Sequence, residues 1–481
     1  MKSIISLALA GVLASSLVCA DNLTEKNVAK AQTIIDAAVA AHGGDEDLHK
    51  LTTLVVEFEA INYSVDQSRS AEPPWDKNES VGFNAIDLDN SIFVNRATNA
   101  GGGFEGRNGT IINSDESYQL DFRAGTVAKI AEPDFATTSG PFVRVTPALL
   151  VRTLEDRAAN TYYLGEAEVD GKVYDVVGFS MTVGPAISLY FDKEDHLLRR
   201  SERLFPQVGL VQYEFLDYET VGGIPFNKTF NLFLNGDPNI ERKNIRTEVN
   251  KPLADLMVVD ANLESIPEVE PDPLSRQEVA DGVWLIGGSG TYAMFVDMGD
   301  YVFAAGGTAG IPERIESLRE VVGDKPLKYG MLTHHHFDHV MGVSAYELEG
   351  ATLIAAAAHE KVARRAAENG DALKVKLVND RMTLEGAERT VEIIDIGPTA
   401  HTEHLLVAYL PEEGILFEAD HFAMPRVGPI PPAVTSTQTF AEALGREELG
   451  VKLIYTAHSS RAATMDDLRT ALETEAFLAS R

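Results

Sequence analysis

Residues 333–339 read Thr-His-His-His-Phe-Asp-His, with four histidines and one aspartate in six positions. The apolar run Tyr329–Thr333 precedes them, and a helical pattern begins near Gly342. A buried strand that opens into a loop can aim alternate side chains at one point, because neighbouring residues of extended chain face opposite ways. His334 and His336 then face together, while Asp338 and His339 curl round to a second point close by. Neutral imidazole and carboxylate suit zinc and related divalent ions. Of the twelve histidines in the chain, nine lie at or after His334, so these donors concentrate in the shorter part of the molecule. The single cysteine, Cys19, excludes a disulfide framework and a thiolate-built zinc site.

The His-x-His-x-Asp-His run resembles the metal motif of the metallo-β-lactamase-fold hydrolase superfamily. Three later segments extend the resemblance. His401 in Gly-Pro-Thr-Ala-His-Thr matches the third motif, Asp420 in Leu-Phe-Glu-Ala-Asp the fourth, and His458 in Ile-Tyr-Thr-Ala-His the fifth. The resemblance covers roughly residues 279–481. It implies that His334, His336 and His401 hold one metal, that Asp338, His339 and His458 hold a second, and that Asp420 bridges them. It implies two zinc ions per chain, with other divalent metals as an alternative. Such a pair can share a water, lower its pKa and present hydroxide to an acyl or phosphoryl centre. Asp338 is then also the catalytic residue, accepting a hydrogen bond from the nucleophile and orienting it.

Departures from the family pattern narrow the reading. Ala305 stands where the superfamily usually has an aspartate after an early strand, so the support of that loop must differ. The usual Gly-His-Thr-x-Gly of the third motif reads Ala400-His401-Thr402-Glu403-His404 here, so Ala400 replaces the glycine before the histidine and the following loop is altered too. Zinc β-lactamases generally place Cys or Ser where Asp420 stands, diiron flavoproteins a Glu at His336, and lactonases a Tyr at Ala423. Sulfur dioxygenases typically keep one metal. Four histidines stay outside the ligand set. His335 points away from its neighbours, and His359 caps the following helix. His421 lines the pocket or packs. His404 is a proton donor, a support for a ligand, or a packing residue.

The elements that must position these groups divide the chain in two. Residues 21–270 carry a helical pattern over Val28–Ala41, stopped by Gly43-Gly44, and then short strands separated by turns. They read as an antiparallel β-rich domain, and their short strands resemble the half-open sheets of periplasmic lipoprotein-carrier folds. The stretch Asn99–Gly109 reads as a glycine-rich loop with no phosphate-binding signature. The acidic, proline-rich run 266–273 reads as a linker. From 276 to 481, strands alternate with helices, as an αββα metallo-β-lactamase fold requires. The whole is expected to be an α+β two-domain protein.

The chain has 481 residues and a formal net charge of −32, which disfavours nucleic acid and anionic lipid as partners. Lys2, the apolar run to Val18, and small residues at Val18 and Ala20 read as a signal peptide over residues 1–20. Its removal takes one lysine and moves the charge to −33. The remainder has no apolar run long enough to span a membrane. The expectation is a periplasmic or secreted dinuclear zinc hydrolase, using a metal-bridging hydroxide on an ester, lactone, thioester or amide. Its partner is a small molecule, with a hydrophobic group among the options. The rivals are a β-lactamase and a catalytically silent periplasmic binding or carrier protein.

Overall fold

A computed structural model of the chain describes residues 22–181, 184–205, 208–268 and 271–477. The expected signal peptide and Cys19 lie outside the described residues, as do residues 269 and 270 of the expected linker.

The N-terminal domain begins with α1 (Leu23–Ala41) and α2 (Gly44–Lys50). Asn22 caps α1 by accepting from the backbone N–H of Thr24 and Glu25, which starts the helix a turn before its apolar pattern. Gly43, at φ +104°, ends it. Six strands follow as a meander: β1 (Thr53–Tyr63), β2 (Lys77–Asp87), β3 (Ile92–Gly101), β4 (Phe104–Ile112), β5 (Ser117–Asp121) and β6 (Thr126–Ile130). Helices α3 (Phe135–Arg144) and α4 (Pro147–Asp156) come next. Then come β7 (Tyr162–Val169), β8 (Lys172–Phe179), β9 (Ile187–Asp192), β10 (Leu198–Phe205), β11 (Gly209–Val221), β12 (Ile224–Leu234), β13 (Asp237–Val249) and β14 (Glu264–Ile266). All join one 14-stranded sheet, in the order β14-β6-β5-β4-β3-β2-β1-β13-β12-β11-β10-β9-β8-β7. The β14–β6 pair is parallel.

Period-two alternation feeds two cores from this sheet. Leu54, Val56, Ile86, Phe93 and Ile112 pack with Ile35, Leu149 and Leu150 of the helices. Their neighbours Val55, Ala85, Val94 and Ile111 pack on the other face with Leu253 and Leu263. Each of the valine, leucine, isoleucine and phenylalanine side chains among these contributes roughly 1.5–3 kcal/mol on burial. At the edge strand β7, Asn27 of α1 bonds both the carbonyl and the N–H of Tyr163 (2.7 and 2.9 Å), which occupies an edge otherwise open to pairing.

The C-terminal domain has the expected αββα layers. One sheet holds β15 (Ser275–Ala280), β16 (Val283–Gly288), β17 (Thr291–Asp297), β18 (Val302–Ala305), β19 (Leu327–Met331), β20 (Thr352–Ala356) and β21 (Val375–Val378), in that order. The other holds β22 (Arg381–Glu385), β23 (Thr390–Asp395), β24 (Leu406–Leu410), β25 (Ile415–Glu418), β26 (Leu453–Thr456) and β27 (Ser459–Thr464). Their inner faces share a core that includes Met294, Phe303, Met331, Ile393, Leu406 and Phe417. Helices α5 (Ile311–Val322), α6 (Phe337–Val340), α7 (Val343–Leu348) and α8 (Glu360–Ala366) lie along the first sheet's half of the chain. Residues of α5, α7 and α8 pack on that sheet's outer face. α9 (Thr435–Glu447) and α10 (Met465–Glu473) cover the second sheet. No helix among the described residues is long and apolar enough to cross a membrane.

The connections β1–β2, β3–β4 and β5–β6 fall at one end of the meander, since consecutive antiparallel strands reverse direction at alternate ends. All three reach the C-terminal domain. In the first, Asp66 O accepts from Phe337 N and Arg69 O from Glu403 N (both 3.0 Å), and Ala71 is buried in the C-terminal core. In the second, Gly103 O accepts from Ser436 N (2.7 Å). In the third, the Arg123 guanidinium donates to the carbonyls of Pro432 and Ala433 (2.6 and 2.7 Å). The expected glycine-rich loop at Asn99–Gly109 is therefore corrected. It is mostly β3 and β4, joined by a tight turn whose glycines take positive φ.

Candidate metal centre

Seven side chains converge where strands of the two C-terminal sheets end. His334, His336, Asp338 and His339 follow β19, with the last two on the single turn α6. His401 lies between β23 and β24, Asp420 follows β25, and His458 follows β26. The donor atoms fall into two groups, each within 4.8 Å: His334, His336, His401 and Asp420, and Asp338, His339 and His458.

Asp420 joins the groups. Its Oδ2 lies 3.2 Å from His334 Nε2 and 2.9 Å from His401 Nε2. Its Oδ1 lies 2.8 Å from His339 Nε2 and 2.9 Å from His458 Nε2. Asp338 Oδ2 stands 3.2 Å from His339 Nε2 and 3.6 Å from His458 Nε2.

The donor set fits divalent metal ions. His336 Nε2 donates to the Ser68 carbonyl (2.9 Å), so its Nδ1 keeps a lone pair. That Nδ1 is buried without a hydrogen-bond partner among the described residues, and the close contacts of His334 Nε2 and Asp420 Oδ1 lack hydrogen-bond geometry. Buried polar atoms are rarely left so. His401 Nδ1 donates to Gly102 O (3.3 Å), which turns Nε2 toward Asp420. The two imidazole nitrogens of His339 and His458 stand 3.3 Å apart, and a shared cation suits that contact.

The electrostatics separate the two groups. Burial, then the neighbouring rings His336 and His339, hold His334 well below the ordinary imidazole range. Burial and His401 do the same to His336. Burial also opposes charge on His339 and His458, but the carboxylates of Asp420 and Asp338 outweigh it. They push His339 up to about 9 and His458 up to about 10. Burial would raise Asp420 and Asp338, but the facing imidazoles hold both well below the usual carboxylate range.

Several supports carry no sequence signature. Glu418, fully buried, accepts from the N–H of His421 and Phe422 (both 3.0 Å) and fixes the turn that presents Asp420. Thr399 Oγ1 bonds His421 Nε2 (2.9 Å) and accepts from the N–H of His401 (3.2 Å). In the loop after Ala305, Arg314 bonds Thr308 Oγ1 (2.6 Å) and Thr291. From the N-terminal domain, Gln67 Nε2 donates to Asp338 Oδ1 (2.9 Å), and the Phe104 ring stands edge-on to His401 at 4.9 Å.

The remaining histidines lie outside both groups. His335 turns away, bonding Ser68 O (3.0 Å) and His359 (3.2 Å). His359 sits at the N-terminus of α8 but makes no side-chain cap there; its ring serves His335 instead, a correction to the capping role. His404 bonds Asp395 (2.6 Å), while His421 is buried against Phe440 and lines a cleft beside Asp420.

Two adjoining clefts open on the centre between the domains. One, of about 290 Å³, reaches Asp420 past Phe104, Arg123 and Phe422. The other, of about 740 Å³, reaches His458 past Ile266, Met424, Val427 and Arg426. Arg123 is spent on Pro432 and Ala433, and Arg426 pairs with Asp272 (3.1 Å).

Residues 288–458 match the family model described as the metallo-beta-lactamase superfamily. Among solved structures, the chain is similar to the FIM-1 metallo-β-lactamase of Pseudomonas aeruginosa in its mono-zinc form. The identity is 22 % over 41 % of this chain and 93 % of that one, with a TM-score of 0.34. A metallo-β-lactamase from Pontibacter korlensis matches at 18 % identity over 43 % of this chain and 99 % of that one, TM-score 0.34. The flavodiiron protein of Giardia intestinalis matches at 18 % identity over 42 % of this chain and 58 % of that one, TM-score 0.34. No curated protein matches significantly.

Proposed function

We propose that residues 288–458, a metallo-β-lactamase-superfamily domain, form with the N-terminal domain a dinuclear zinc hydrolase of an ester, lactone, thioester or amide bond. The observation that carries this reading is the Asp420 carboxylate, which turns one oxygen to His334 and His401 and the other to His339 and His458. His334, His336 and His401 would hold one ion, and Asp338, His339 and His458 the other. A bound pair of divalent ions supplies an acidified water and a Lewis acid for the substrate carbonyl.

The chain's own groups supply the rest. The buried rings of His334 and His336 keep water away from one side of the centre. Asp338, with 42 % of its side chain exposed, stands at the open side as an ionised carboxylate, where it can accept a hydrogen bond from the attacking water and orient it. The clefts offer apolar walls to an acyl or leaving group. Their two arginines are engaged, and Glu105, Asp121 and Asp272 line the same clefts, so an uncharged substrate fits better than an anionic one. Residues 1–20 support export to the periplasm or beyond.

The test is a panel of neutral esters, lactones, thioesters and amides, run with nitrocefin on the zinc-loaded protein and on Asp420→Ala. At least one neutral class is expected to turn over, with kcat/KM falling more than about 100-fold in the variant. The anionic β-lactam is expected to be a poor substrate. Faster hydrolysis of nitrocefin than of every neutral class would contradict the assignment.

A further inference from the structure

We propose that the N-terminal domain is part of the metal centre, through three positioning groups: the Gln67 amide for Asp338, the Ser68 carbonyl for His336, and the Gly102 carbonyl for His401. The proposal rests on the two-ion reading above and adds that the centre is assembled from both domains.

The β1–β2 connection is built to hold its carbonyl still. Ser68 is buried; its hydroxyl donates to Ser64 O and accepts from Asp76 N (both 2.8 Å). Arg69 N donates to the Asp76 carboxylate (2.8 Å), so the loop closes on itself. The Ser68 carbonyl then accepts from His336 Nε2 at 2.9 Å. An imidazole that donates through Nε2 presents a lone pair on Nδ1, so a backbone atom of one domain selects the tautomer of a ligand in the other. Gln67 Nε2 binds Asp338 Oδ1 at 2.9 Å, leaving Oδ2 for the side of His339 and His458.

The β3–β4 turn acts on the third ring. His401 Nδ1 donates to Gly102 O (3.3 Å). Gly103 has φ +81°, and a Cβ built there would stand 3.0 Å from the Cβ atoms of Ala400 and Ser436. Glycine at 103 is what lets the turn approach so closely. This assigns a role to the glycine-rich stretch that no phosphate chemistry explains.

Docking and positioning are separable, because the same loop has contacts that touch no ligand. Glu72 pairs with Lys361 at 2.7 Å on the surface. Gln67 is exposed, so its truncation leaves the core intact.

The test uses the full-length protein, stripped of metal and titrated with Co2+ against a competing chelator, read by visible absorption. Gln67→Ala is expected to weaken one of two ions about 10- to 100-fold and to shift its absorption. Gly103→Ala is expected to perturb the other ion. Glu72→Ala is expected to bind both as the wild type does. Wild-type affinity and spectrum in both Gln67→Ala and Gly103→Ala would overturn the proposal while leaving the two-ion reading intact. Equal weakening by Glu72→Ala and Gln67→Ala would overturn positioning by Gln67 in favour of loop docking. A wild type that binds no pair of ions would overturn both readings.

Discussion

The two groups of ligands around Asp420 are built differently. His334 and His336 are fully buried and His401 is 6 % exposed, and the outward nitrogens of His336 and His401 are held by backbone carbonyls. On the other side, Asp338 is 42 % and His458 32 % exposed, and Asp338 leans on the exposed amide of Gln67. The buried group is preorganised by atoms that cannot rotate. The open group depends on side chains that can. If it holds the proposed pair, such a centre would keep one ion more firmly and leave the other on the accessible side.

That contrast can be broken in steps. The largest effect is expected from Asp420→Ala, which removes the shared carboxylate and leaves imidazoles facing one another without counter-charge. Elemental analysis should show metal lost from both groups. Next, chelator added to the wild type should draw out metal in two phases, the first from the open group and separated from the second by about tenfold or more in affinity. A single phase would show that the two groups are equivalent.

The smallest effect concerns a histidine outside the centre, on which burial is the dominant influence. His42, fully buried against α1, donates through Nδ1 to Ala38 O (2.8 Å). Burial pushes it down to about 4. The unfolded chain therefore binds the extra proton first, and stability falls as pH drops from the unfolded value of about 6.5 toward 4. Between pH 7 and pH 5 the loss is about 2 kcal/mol. Urea unfolding of the wild type against His42→Gln should show a pH dependence smaller in the variant by about that amount, since other buried histidines such as His335 remain.

What the sequence made legible follows from where the information sits. Donor types at fixed spacing after apolar strands name His334, His336, Asp338, His339, His401, Asp420 and His458, and the structure brings all seven together. The C-terminal strands are equally readable, because β16, β17 and β24 are runs of buried apolar residues. The N-terminal supports are not. Ser68 and Gly102 act through carbonyls, which every residue carries. Gln67 is one exposed amide in a loop distant in sequence from Asp338. The helix α3 hides behind Pro141 and a Thr-Thr-Ser-Gly run, which read as loop. The β3–β4 hairpin hides behind glycines that serve a close approach rather than flexibility.

The proposed two-ion centre with unequal halves can be tested by counting ions. Elemental analysis of the purified wild type beside His458→Ala should give about two divalent ions per chain in the first and about one in the second. One ion or none in the wild type, or an unchanged count in His458→Ala, would contradict it.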